Sequence, residues 1–62
     1  RRAVYPIRDL SAGEIIREID LIVLRPNHGI DARDTEKIIG SMAKKDIKAL
    51  SVLSWKMFEK SE

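Results

Sequence analysis

The feature that most constrains this chain is a nine-residue pattern that occurs twice. Arg8-Asp9-Leu10-Ser11-Ala12-Gly13-Glu14-Ile15-Ile16 returns 37 positions later as Lys45-Asp46-Ile47-Lys48-Ala49-Leu50-Ser51-Val52-Leu53, with base over base, acid over acid and apolar over apolar at most columns. A repeat in both halves of 62 residues predicts two related β-turn-β units facing each other across one core. A chain this short buries only about 60% of its extended-chain surface, so a deep self-contained catalytic pocket is not expected. There is no cysteine, hence no disulfide or thiolate zinc site to supplement that core. Stability rests on packing or on a larger parent protein.

Twelve Lys and Arg stand against ten Asp and Glu, a formal charge of +2. The two signs are interleaved through most of the chain, which describes a solvated surface more than a nucleic-acid footprint. Lys44, Lys45 and Lys48 are the densest basic cluster, but Asp46 interrupts them and no aromatic platform is interleaved, so no nucleic-acid partner is expected. No apolar run approaches the roughly 20 residues of a membrane span, and no apolar leader segment opens the sequence, so no membrane partner is expected either. The start at Arg1-Arg2 without Met suits a domain taken from a longer chain.

Ala3-Val4-Tyr5-Pro6-Ile7 is rich in β-formers, and Pro6, which has no N–H for a central ladder, predicts an edge or bulged strand. Ser11–Glu14 is a turn, with Gly13 free to take positive φ, and Ile15-Ile16 is a short strand after it. Arg17–Asp20 reads as one helical turn with Ile19 inward, and the apolar run Leu21–Leu24 as the central strand. Asp31 caps a helix starting at Ala32, Asp34 lies in its first turn, Ile38 and Ile39 are its buried side, and Gly40 stops it. The second half repeats the scheme: a strand over 42–46, a turn over 48–51, a short return strand at Val52-Leu53, then Ser54 capping a last helical turn through Phe58 before a polar, frayed tail. Leu50 stands where the first copy has Gly13. Either the second turn avoids positive φ or Leu50 carries strain of roughly 1 kcal/mol.

Arg25-Pro26-Asn27-His28-Gly29 concentrates the functional signal in one loop. Arg25 ends the strand or follows it directly, and a planar guanidinium there can reach a ligand carbonyl or carboxylate. The plainer alternative is that it pairs with Asp31 or Asp34. His28 has no partners for a metal and reads as loop surface or a ligand contact. Trp55, Met57 and Phe58 read as core, and Asp9, Glu14 and Asp20 as turn and surface groups. No Ser-His-Asp, HExxH or phosphate-loop pattern is present, so no catalytic residue and no metal ligand is assigned.

The succession Ile7–Leu10, Ala12–Glu14, Ile22–Ile30, Ile38–Ile47 and Leu53–Trp55 resembles the C-terminal antifreeze-like (SAF, β-clip) domain of bacterial sialic acid (N-acetylneuraminate) synthases. The resemblance covers nearly the whole chain, 1–62. It implies a mainly β fold with short helical turns and a pseudo-twofold repeat, similar to type III antifreeze proteins. It further implies a preceding TIM barrel in a cytoplasmic enzyme, which condenses phosphoenolpyruvate with N-acetylmannosamine using Mn²⁺ or Mg²⁺. In that family the small domain does no bond making and needs no cofactor of its own. It lies over the partner subunit's barrel in a homodimer, and the arginine of its Arg-Pro-x-x-Gly loop approaches the N-acetyl group of the sugar. Carried over, that residue is Arg25, with Pro26, Asn27, His28 and Gly29 as further loop contacts. Asn27 stands where glycine is frequent, and Leu50 and Val52 replace a frequent glycine and proline. Synthases for pseudaminic and legionaminic acid share this architecture, and a non-catalytic SAF module for carbohydrate binding or assembly is the remaining alternative.

Overall fold

The repeat organises the whole molecule and runs further than nine residues. In the computed structural model, which describes residues 1–60, β1 (Ala3–Pro6) pairs antiparallel with β2 (Leu21–Leu24), and β3 (Ser41–Ala43) with β4 (Phe58–Lys60). A single 3₁₀ turn precedes the second strand of each pair, Glu18–Asp20 and Trp55–Met57. A third, Ala32–Asp34, leads into the one-turn helix α1 (Thr35–Ile38). The 37-residue offset relates these elements bond for bond. Ile7 N–H donates to the Asp20 carbonyl at 2.8 Å, and Lys44 N–H to the Met57 carbonyl at 2.8 Å. Asp20 N–H donates to the Arg17 carbonyl at 3.0 Å, and Met57 N–H to that of Ser54 at 3.1 Å.

The two copies clasp each other at the centre. Leu10 and Ile47 exchange backbone hydrogen bonds of 2.7 and 2.8 Å. Asp9 accepts from the Ala49 N–H at 2.8 Å and Asp46 from the Ala12 N–H at 2.9 Å, so each acid stabilises the turn of the other copy. The matched apolar columns Leu10/Ile47 and Ile16/Leu53 meet in the core, with Val4, Ile30, Ile38, Ala43 and Phe58. The architecture is the mainly β clip with short helical turns that the family resemblance implies.

Several local expectations are corrected. β1 is the inner strand: one side pairs with β2, and the other takes a bridge from Ala3 to Asp31 and the bond from Val4 N–H to the Ile30 carbonyl at 3.0 Å. Pro6 fits because it ends the strand, where its carbonyl accepts from Leu50 N–H; its repeat-equivalent Ala43 donates to Glu14, a bond proline cannot make. β2 is an outer strand, with Val23 and Leu24 exposed. Ile19 points out, 72% exposed, and Asp20 points in at 1%, because the Asp20 carboxylate turns back to accept from the Arg17 N–H.

In the second half β3 is shorter than 42–46, and Val52-Leu53 forms no strand. The last helical turn ends at Met57, Phe58 opens β4, and Glu59 and Lys60 are paired rather than frayed, while the expected tail residues 61–62 lie outside the described residues. Ser54 precedes the last 3₁₀ turn without capping it, its hydroxyl buried and without a partner among the described residues. Phe58 is core, whereas Trp55 is half exposed. Gly40 follows α1 with φ of 90° as its stop. Among the described residues no helix is long and apolar enough to cross a membrane.

The Leu50 alternative resolves toward strain. Gly13 has φ of 93° and Leu50, in the matching turn, φ of 63°. Leu50 is 58% exposed, so replacing it with glycine sacrifices little burial and removes the left-handed penalty. Leu50→Gly is expected to stabilise the chain by about 1 kcal/mol, a rise in melting temperature of about 4–8 °C, read by thermal denaturation.

Candidate functional site

The segment after β2 is a tethered loop whose one arginine is unpaired among the described residues. β2 ends at Leu24, so Arg25 is the first residue beyond the strand, and the Arg25–Pro26 peptide is cis. The Pro26 carbonyl accepts from the Tyr5 hydroxyl, a side chain buried on the inner strand. Asn27 Nδ2 donates to Asp31 Oδ2 at 3.0 Å. Gly29 lies so close to the Leu53 backbone that a Cβ there would sit 2.6 Å from the Leu53 carbonyl oxygen. Ile30, at the far end, is core. Three anchors fix the path of five residues.

Arg25 itself is exposed, and among the described residues it makes no hydrogen bond or ion pair. The pairing with Asp31 or Asp34 does not form, because both acids are taken. Asp31 Oδ1 accepts from the backbone N–H of Arg33 at 2.8 Å and from its Nε at 3.2 Å, and Arg1 lies 3.9 Å from Oδ2. These hold the Asp31 carboxyl below its ordinary value, the Arg33 backbone N–H first and its guanidinium next. Asp34 pairs with Lys37 at 3.3 Å. His28 is exposed at the rim of a shallow hollow of about 260 Å³ that it shares with Val52, Ser54 and Trp55. A wider groove of about 620 Å³ lies elsewhere, between the end of α1 and β4. Its lining includes charges of both signs, Glu36, Lys37, Glu59 and Lys60.

A second polar cluster escapes a reading of the sequence. Arg8 bridges two acids, donating from Nη2 to Glu14 at 2.7 Å and from Nε to Asp20 at 3.1 Å. Arg17 adds its own fork to Asp20. Burial pushes the Asp20 carboxyl up, but the hydrogen bonds from Arg17 and Arg8 outweigh it and the net displacement is downward. Glu14 is lowered by the Arg8 bond and the Ser11 N–H, and Arg8 is raised, chiefly by Glu14. Asp20 is therefore a buried structural acid and not a surface group. The cluster ties the first turn to the 3₁₀ turn before β2 and includes no residue of the Arg25 loop. Among the described residues no group of three or more His, Cys, Asp or Glu is placed to hold a metal ion.

The SAF domain family matches residues 1–59 of this chain. Pseudaminic acid synthase of Helicobacter pylori is 35% identical over 60 residues, covering 97% of this chain and 18% of that protein. N,N'-diacetyllegionaminic acid synthase of Legionella pneumophila is 37% identical over 59 residues, 95% of this chain and 17% of that protein. The chain thus spans less than a fifth of the length of these curated relatives. Among solved structures, the flagellar protein FlgA from Thermotoga maritima superposes with a TM-score of 0.83 over 97% of this chain and 25% of that chain, at 23% identity. That likeness is one of fold alone.

Proposed function

Since this chain belongs to the SAF domain family, we propose that it is the non-catalytic cap of a nonulosonic acid synthase, holding Arg25 against the acylamino group of a sugar bound in the parent's catalytic domain. The cap would close over a TIM barrel, that of the partner subunit in a homodimer. There phosphoenolpyruvate is condensed with the sugar, and the barrel supplies the Mn²⁺ or Mg²⁺. The names of the two synthase relatives favour a sugar of the pseudaminic or legionaminic group over N-acetylmannosamine.

One observation carries this reading: the loop is anchored at Pro26, Asn27 and Gly29 while the guanidinium of Arg25 has no partner among the described residues. An anchored loop adds little backbone ordering cost when the Arg25 guanidinium meets a ligand carbonyl, and a cap that excludes water strengthens that contact. The chain's own contribution is therefore an N–H donor on a fixed backbone and a shield, with no proton held or moved.

The test is condensation by the full-length parent with and without Arg25→Ala, offered the sugar precursors of pseudaminic and legionaminic acid and N-acetylmannosamine in turn. The variant is expected to lower kcat/KM tenfold or more, about 1.4 kcal/mol of transition-state stabilisation, with a precursor of the pseudaminic or legionaminic group preferred. Unchanged turnover in Arg25→Ala would remove Arg25 from the site, and preference for N-acetylmannosamine would return the parent to N-acetylneuraminate synthesis.

A further inference from the structure

The pseudo-twofold repeat supplies an internal control for the surface residues it duplicates. Ile7 N–H donates to the Asp20 carbonyl and Leu50 N–H to the Pro6 carbonyl, each at 2.8 Å. These bonds tie the segments that carry Ile19 and Leu50 to the adjacent residues Pro6 and Ile7, so three chain segments meet where β1 ends. Ile7, Ile19 and Leu50 are each more than half exposed. In the other copy the same two bonds recur at 2.8 Å, from Lys44 N–H to the Met57 carbonyl and from Gly13 N–H to the Ala43 carbonyl. The residues in the corresponding places are Lys44, Lys56 and Gly13, all exposed. One backbone arrangement thus carries three apolar residues at one end and two lysines and a glycine at the other.

The lysine end shows that this fold requires no apolar side chain at any of the three positions. Apolar surface left in water costs free energy, and Leu50 additionally holds a φ of 63°, which a glycine adopts without penalty. Nothing within the chain offsets either cost. Backbone strain of this kind gathers at functional contacts, and grouped apolar side chains bordered by charge, here Arg8 beside Ile7 and Glu18 beside Ile19, mark surfaces that meet another protein surface.

We propose that Ile7, Ile19 and Leu50 form a docking face, covered by an apolar surface of the parent protein's catalytic domain. Three side chains fall well short of the about 800 Å² per partner that a stable free complex buries, so a second free copy of this chain is not the occupant. A tethered partner needs far less, because covalent linkage holds it at high effective concentration, and this chain covers only 18% and 17% of its two synthase relatives. The face lies at the Pro6–Leu21 end of the β1–β2 ladder, while Arg25 follows the Ala3–Leu24 end. The inference rests on the cap reading for the existence of that larger parent and takes nothing from the Arg25 loop.

The chain has no cysteine, so single substitutions place one thiol at either end. Ile7→Cys and Ile19→Cys report the apolar end, and Lys44→Cys and Lys56→Cys its counterpart. Each is labelled with a maleimide in the isolated chain and in the full-length parent, and the modified peptide is quantified by mass spectrometry. Labelling of Ile7→Cys and Ile19→Cys is expected to slow about tenfold or more in the parent, with Lys44→Cys and Lys56→Cys changing less than about twofold. Equal rates in chain and parent at the apolar end, or equal slowing at both ends, would overturn the face. Slowing in the isolated chain that grows with its concentration would give the face to a second copy and overturn the assigned occupant. Protection at the apolar end alongside unchanged turnover in Arg25→Ala would leave docking in place and sink the cap role of Arg25; full labelling alongside impaired turnover in Arg25→Ala would do the reverse.

Discussion

Asp20→Ala is expected to leave much of this chain unfolded at 25 °C. The Asp20 side chain is 2% exposed and holds four donors: Arg17 N–H at 2.9 Å, Arg17 Nε at 3.3 Å, Arg17 Nη2 at 3.2 Å and Arg8 Nε at 3.1 Å. Alanine strands the backbone donor and releases both guanidinium groups from the turn before β2. Removing one partner of a buried pair costs about 3–5 kcal/mol, and the lower end applies because Arg8 and Arg17 are 41% and 59% exposed and regain water. A single core of this size supplies only about 3–5 kcal/mol in total, so the two quantities are comparable. Urea denaturation followed by circular dichroism decides it, and a midpoint within error of the parent chain would return Asp20 to the surface role its sequence context predicts. The same group sets the acid limit. Its folded value is depressed, as are those of Glu14 and Asp31, so their stabilisation is complete above the ordinary carboxylate range near about pH 4 and is lost as pH falls through the folded values. Asp20→Ala should therefore flatten the acid side of the stability profile.

The fold was legible where the signal was local and repeated. Asp9 and Asp46 fall in matching columns, and each caps the turn of the other copy; Leu10 and Ile47 match and pair. The repeat also contained more than nine columns show. Carrying the same offset past Leu53 sets Trp55–Met57 on Glu18–Asp20 and Phe58–Lys60 on Leu21–Val23, which predicts the final strand instead of a frayed tail. Ile19 and Asp20 exchanged faces because side-chain phase in a three-residue 3₁₀ turn follows its capping bond rather than hydrophobicity. The inner and outer strands were inverted because an apolar run signals burial without saying which neighbours supply it, and Pro6 at a strand end removes no bond that matters. That Arg25 stands at the end of β2 and opens a loop was legible from the residue types. The Arg8 cluster was not, since Arg8 and Asp20 are distant in sequence and meet only when the first turn folds against the 3₁₀ turn before β2.

Gly29→Ala is expected to lower stability by about 2–3 kcal/mol, a fall in melting temperature of about 10–20 °C. Its mechanism differs from that of the other glycines. Gly13 and Gly40 have positive φ and open space around them, so a side chain there meets a backbone penalty alone. At Gly29 the obstacle is contact: a Cβ would lie 2.6 Å from the Leu53 carbonyl oxygen, 3.0 Å from its nitrogen and 3.0 Å from Val52 Cγ1. The first two are backbone atoms of a residue whose side chain is core, 1% exposed, so neither can swing aside as a surface rotamer would. Relief must come from the loop lifting off Leu53, which loosens the path that Pro26 and Asn27 otherwise hold, or from Leu53 leaving its packed position. Leucine there is matched with Ile16 across the repeat, so the second route opens the core. The two routes separate by measurement on one variant. If the loop lifts, the Asn27 side-chain amide loses its hydrogen-bonded shift while core methyl signals stay in place; if Leu53 moves, methyl signals of Leu10, Ile16 and Ile47 shift together. A melting temperature unchanged by Gly29→Ala would show that the loop is not pressed against Leu53, and the anchored presentation of Arg25 would lose one of its three supports.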